Sequence, residues 1–177
     1  MASPLTLLTP RLTLRRWHAD DLEPMAAINA DPEVMRWAGD GSVHDRERTS
    51  AAIAAWEREW DERGVGLFAV EVRQSRRLAG FAGLSVPSSL PEILPAVALG
   101  WRLGRPFRGH GLATEAARAV LDFALRDRGL ARVVGVHHAA DDASAAVLRK
   151  LGMRRERETT HPEYGVPVCV HSLDARP

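Results

Sequence analysis

A mixed α/β layered fold is predicted by three features of the chain. Residues near the start alternate apolar and polar, as a half-buried strand does. Ala96–Leu103 is a nearly continuous apolar run of strand length, the pattern of a strand inside a sheet. That run passes through a glycine turn into the clearest amphipathic helix, Gly111 to about Arg128.

The elements follow in order. In Arg11-Leu-Thr-Leu-Arg-Arg-Trp17, Leu12, Leu14 and Trp17 alternate with polar residues and predict the opening strand. A short helix is expected over Asp21–Ala30, and Asp31-Pro32 opens a second. Ser42 to Asp45 resembles a loose capping box leading into a helix of about five turns at 3.6 residues each. Ile53, Trp56 and Trp60 share one side of it, and Gly64 stops it. Val65–Val72 and Leu78–Val86 read as a meander with a polar turn at 74–77, followed by a loop over Pro87–Pro95. Ala113, Ala117, Val120, Leu121 and Ala124 form the stripe of the long helix, ended by Gly129. Arg132–Val136 is a buried strand. Asp141 or Asp142 caps a helix that ends at Leu151, with Gly152 in the closing position. Met153–Thr159 and Val166–Leu173 are the last strands.

Composition narrows the function. No repeat or low-complexity linker divides the 177 residues, so a single domain over 1–177 is expected. A net charge of +1 with interspersed signs argues against generic binding to nucleic acid or anionic membrane. The one cysteine, Cys169, excludes an intrachain disulfide and a multi-thiolate zinc site. It alternates with Val168 and Val170 and is expected to be packing. The opening residues lack a secretory pattern and no apolar run reaches about 20 residues, so a cytoplasmic protein is expected.

The chemistry concentrates in Gly100-Trp-Arg-Leu-Gly-Arg-Pro-Phe-Arg-Gly-His-Gly-Leu-Ala-Thr-Glu-Ala116. A strand, a turn with glycines at 109 and 111, and a helix start together make a phosphate or pyrophosphate site from free amides and the helix dipole. Arg105 and Arg108 flank it with charge. A tight connection with no ligand reads the same in two glycines alone. The run is not a P-loop, since no Gly-Lys-Ser/Thr follows. It also lacks the third glycine of a dinucleotide fingerprint, having Thr114 there.

Arg108-Gly-His-Gly111-Leu-Ala113 resembles the Arg/Gln-x-x-Gly-x-Gly/Ala loop of GNAT acetyltransferases, and its extension to Ala117 resembles the RimJ/RimL-like branch. Thr9–Trp17, Leu99–Leu103 and Asp142–Met153 resemble three further pieces of that branch in the same order. The resemblance implies a sheet splayed between its fourth and fifth strands with acetyl-CoA in the gap. Trp101, Arg102 and Leu103 would pair with the pantetheine arm, and the same backbone could polarise the thioester. Arg108, Gly109, His110, Gly111, Leu112, Ala113 and Thr114 would hold the pyrophosphate, with Asp141 and Ser144 beside the thiol. No metal is implied. An amine, possibly a protein N-terminus, would attack the thioester directly, in a monomer or homodimer.

The chain departs from the family pattern at three places. A tyrosine donor used by many members is Leu148 here, its companion asparagine is Asp141, and a glutamate base of some members is Ala98. Ser144, which stands where the branch often carries serine, becomes the candidate donor to the thiolate, and Asp141 is a helix cap or a catalytic group. Candidate proton acceptors are Glu163 and His138, with His137, Tyr164 or a water relay as further readings. These departures keep open a non-catalytic CoA-binding module of the same fold. An enzyme of another class using the loop for a nucleotide is the remaining reading.

Overall fold

A computed structural model describes residues 5–175; the first four residues, read above for a secretory pattern, lie outside it. The elements are β1 (Thr6–Leu8), β2 (Leu12–Arg15), α1 (Leu22–Asn29), α2 (Pro32–Met35), α3 (Arg46–Arg63), β3 (Leu67–Val72), β4 (Leu78–Ser85) and β5 (Val97–Leu103). There follow α4 (Leu112–Asp122), β6 (Arg132–His138), α5 (Asp142–Lys150), β7 (Arg154–Thr160) and β8 (Pro167–Asp174). All eight strands join one sheet in the order β1-β2-β3-β4-β5-β6-β8-β7. It is antiparallel throughout except where β5 meets β6.

Two apolar layers flank the sheet. On one face α4 sits over Leu12, Leu14, Val70, Ala82, Leu99 and Leu103 through Ala116, Ala117, Val120 and Leu121. The other face packs Met25, Ile28, Val34 and Met35 of α1 and α2 against Leu67, Ala69 and Phe81. The expected tryptophan stripe of α3 divides between them. Trp60 joins the first layer, Trp56 the second, where it stacks 5.2 Å from Trp17. The indoles of Trp17 and Trp60 both donate to the Leu67 carbonyl, at 2.9 and 3.0 Å, which pins α3 to the start of β3.

Several boundaries differ from expectation. Thr6–Leu8 is an additional edge strand, so the strands expected to splay are β5 and β6. The capping box at Ser42 is not formed. Ser42 bonds Asp40, and Asp45 caps α3 by accepting from the Arg48 amide at 2.8 Å. β3 begins two residues late because the Trp60 ring lies where a side chain of residue 66 would be, 2.7 Å from its Cβ position. The helix begun by α4 finishes as a π turn over Phe123–Asp127, the Arg128 amide donating to the Phe123 carbonyl. β6 runs on to include both His137 and His138.

Candidate active site

β5 and β6 pair only through Val97–Val133, Ala98–Val134 and Leu99–Gly135. Beyond Leu99, β5 stays bonded to β4 on its far side, and β6 stays bonded to β8. Gly100–Leu103 and Val136–His138 therefore face each other as unpaired edges across an opening. Its mouth is the start of α4, and α5 forms a wall. Gly135 permits that wall to lie close: a Cβ there would come within 2.5 Å of a Leu148 methyl. The resulting cleft has a volume of about 710 Å³.

Most of the residues expected at the cofactor come together here. Trp101, Arg102, Leu103, Arg108, Gly109, Gly111, Leu112, Ala113, Thr114, Asp141 and Ser144 line the cleft, as do His137 and His138. The lining leaves out His110 and Glu163. It adds Glu33, Val34, Arg36, Trp37 and Ala38, from α2 and the turn after it. That segment carries no periodicity or motif, so nothing in the sequence marked it.

The loop into α4 is shaped as an anion site. Gly111 is the N-cap with φ 77°, a left-handed conformation that a β-branched residue resists. No backbone amide from Gly111 to Thr114 finds a protein acceptor among the described residues, so four donors stand at the helix start. A clamp from the other end of the chain holds this geometry. Glu115 accepts from Thr9 Oγ1 at 2.6 Å, from the Arg11 amide at 2.9 Å and from Arg11 Nε at 2.6 Å. Arg11 Nη1 also donates to the His110 carbonyl at 2.7 Å, which keeps that oxygen turned away from the loop's amide side. Burial pushes the Glu115 carboxyl upward, but the bonds from Thr9 and Arg11 and the Arg11 charge hold it below the usual glutamate value.

The flanking arginines are engaged within the protein. Arg105 pairs with Asp31 at 2.5 Å. Arg108 donates to the carbonyls of Leu103, Glu33 and Val34 at 3.1, 3.3 and 3.5 Å. It braces the end of β5 against α2, while its charge remains in the cleft wall.

Asp141 is the N-cap of α5. One carboxylate oxygen accepts from the Ser144 amide at 3.1 Å and the other from Ser144 Oγ at 2.6 Å. Leu148, one turn on, is 1% exposed and faces the core. The histidines at the end of β6 are also committed. His138 stacks on Trp37, 4.6 Å between centroids, and its Nδ1 accepts from the Ala140 amide at 3.1 Å. In the neutral ring the proton then sits on Nε2, so His138 offers the cleft a donor and no free lone pair. His137 Nδ1 donates to the His138 carbonyl at 2.8 Å, and its Nε2 meets His171 Nε2 at 3.1 Å. Burial, with the His137 neighbour, pushes the His171 ring below the ordinary histidine value. Glu163 and Tyr164 lie in the β7–β8 turn, where Tyr164 stacks on His161. Cys169 is buried between His137 and Glu158, as packing.

An open sheet with a cleft between two unpaired strand edges, closed by a helix start rich in free amides, is a shape suited to an extended ligand with an anionic end. The profile of the acetyltransferase (GNAT) domain family matches residues 11–154. The chain belongs to the GNAT acetyltransferase family, and acetyl transfer is its reaction class. It is 24% identical over 151 residues to p20 of Bacillus licheniformis, an uncharacterized N-acetyltransferase, spanning 85% of this chain and 83% of that one. An acetyltransferase structure from Agrobacterium tumefaciens superposes with TM-score 0.81 at 25% identity, over 98% of this chain and 96% of that one. The ribosomal L7/L12 α-N-protein acetyltransferase RimL, solved in complex with coenzyme A, superposes with TM-score 0.80 at 16% identity, over 97% and 98%. No helix among the described residues is long and apolar enough to cross a membrane. No group of three or more His, Cys, Asp or Glu among them is placed to hold a metal ion.

Proposed function

We propose that the protein moves the acetyl group of acetyl-CoA to the nitrogen of a primary amine by direct attack. The observation that carries this reading is the pairing of four free amides at 111–114 with the unpaired Gly100–Leu103 edge, which runs away from them into the split. The amides take the pyrophosphate, and the β5 edge takes the amide-bearing arm as a neighbouring strand would. This leads the thioester toward Leu99, where β5 and β6 close together. A neutral amine forms the new C–N bond there as the C–S bond breaks, and the electron pair leaves on sulfur.

Ser144, in the first turn of α5, is the donor in reach of that sulfur once its hydroxyl turns from Asp141. The helix start favours the negative charge that develops. The lone pairs of His137 and His138 are engaged and Glu163 stands outside the cleft. The amine proton therefore passes to water. The test is free-thiol release from acetyl-CoA with a panel of amines, with mass spectrometry of the product. Amine-dependent thiol release with an N-acetylated product is expected. Tight acetyl-CoA binding without product from any amine would overturn the reading and leave a binding module.

A further inference from the structure

Arg102 is a cation without an anion. Strand alternation sends Trp101 and Leu103 toward α4 and Arg102 to the opposite face, where its guanidinium lies 5.0 Å over the ring of Phe81, its register partner on β4. Nη1 donates to Asn29 Oδ1 at 2.8 Å. Asn29 is fully buried, and its Nδ2 donates to the fully buried Thr49 Oγ1 at 3.1 Å, which fixes the carbonyl end of the amide toward Arg102. The ring and the amide hold the guanidinium rigidly at the cleft wall. An arginine carries five N–H donors; the other four find no protein acceptor among the described residues.

The protein treats Arg15, which is also half-buried, differently. Arg15 is bonded by both Asp21 and Glu71, at 2.7 and 3.1 Å. Arg102 has no carboxylate, and burial alone pulls its pKa down to about 10, which still leaves it charged at neutral pH. The two carboxylates of the cleft do not reach it: Asp141 is bonded to Ser144, and Glu33 forms no ion pair. Beside it His44 has a buried Nδ1 with no partner, and burial together with the charges of Arg48 and Arg102 pushes that ring below the ordinary value. A half-buried cation held beside a neutral amide is poorly compensated until an anion arrives.

The geometry points to Arg102 as the residue that reads the acceptor, by taking the carboxylate of a small amino acid. The inference rests on the acetyl-transfer reading above. The candidate pyrophosphate amides lie beyond Leu103 at α4, on the other face of the sheet, so the donor's phosphates do not use this group. One guanidinium matches one monoanion, and its free N–H fork suits the two oxygens of a carboxylate. The same carboxylate chemistry is carried by an acidic residue at a peptide N-terminus, which the experiment separates.

Steady-state thiol release is measured with the common amino acids other than proline and cysteine, each paired with its carboxamide, and with C-terminally amidated tripeptides beginning in Asp or Glu, paired with Asn and Gln. The acid is expected to exceed its carboxamide in kcat/KM by about tenfold or more for at least one free amino acid. In Arg102→Met that preference falls to within about threefold through the acceptor KM, and Arg102→Lys, which keeps the charge, retains part of it. Circular dichroism establishes that both variants fold. Equal use of acid and carboxamide, an undiminished preference in a folded Arg102→Met, or a preference confined to acidic peptides overturns the assignment. The acetyl-transfer reading fails separately, through absence of thiol release with every amine. In that event, titration of the amino acids into CoA-saturated protein still decides: binding lost in Arg102→Met sustains the carboxylate site, and binding unaffected or absent overturns it.

Discussion

Ser144 keeps its hydroxyl proton on the Asp141 carboxylate until a stronger need appears. In the proposed mechanism a thiolate leaving nearby supplies that need, and rotation about one bond redirects the proton. Replacing the hydroxyl should therefore affect turnover more than cofactor affinity. Ser144→Ala is expected to lower turnover roughly tenfold, near the low end for acid catalysis because water partly substitutes. Acetyl-CoA affinity should change less than about threefold. Steady-state kinetics with titration of the cofactor checks both; unchanged turnover leaves solvent as the donor. The cap of α5 was legible to within one residue because capping is a local grammar, whereas Ser144 was marked only by the family resemblance. The placement of Glu163 was not legible, since a turn between two strands has no pattern that says which way it leans. The lone-pair state of His138 was equally hidden, because it depends on the amide of Ala140 folding back beneath the ring.

At the scale of elements, the clamp of Glu115 on Thr9 and Arg11 joins the β1–β2 turn to the first turn of α4 across more than a hundred residues of chain. It orients the loop whose amides face the cleft. Glu115→Ala should cost about 1–2 kcal/mol of stability, a discounted value for partly exposed charged hydrogen bonds. It should also weaken acetyl-CoA by about five- to twentyfold as the His110 carbonyl is freed. Chemical denaturation and calorimetric titration read the two effects, and unaltered binding would show that the loop holds itself. Helices α3 and α5 were legible to within a few residues because a glycine follows each and an aspartate precedes each. β1 was not: three residues with one side half-exposed carry too little alternation to register. The extension of β6 through two histidines was missed because polar residues there read as strand end, whereas pairing with Val168 and Cys169 of β8 carries the strand on.

For the molecule as a whole, mild acid should be destabilising before any carboxylate titrates. His171 and His44 both have folded values below their unfolded ones, His171 through burial and His137, His44 through burial and the charges of Arg48 and Arg102. The unfolded chain thus takes up protons that the folded chain resists. Stability is fully present above about pH 6.5 and declines as pH falls through the histidine range. Urea unfolding at pH 7.5 and 5.5 should show that decline, and His171→Gln should reduce it; an equal decline would assign it to other groups. The order of strands was largely legible, but the place where β5 and β6 part was visible only through family resemblance, since no local pattern encodes a lost pairing. That parting has a further consequence. Unpaired strand edges invite other chains to add to a sheet, and edge strands ordinarily carry charges, prolines or bulges to discourage it. Here the two bare edges face one another at the floor of a cleft, between helices that keep a second sheet from reaching them. Only a single slender chain can enter, so these two edges are shielded from pairing with another sheet.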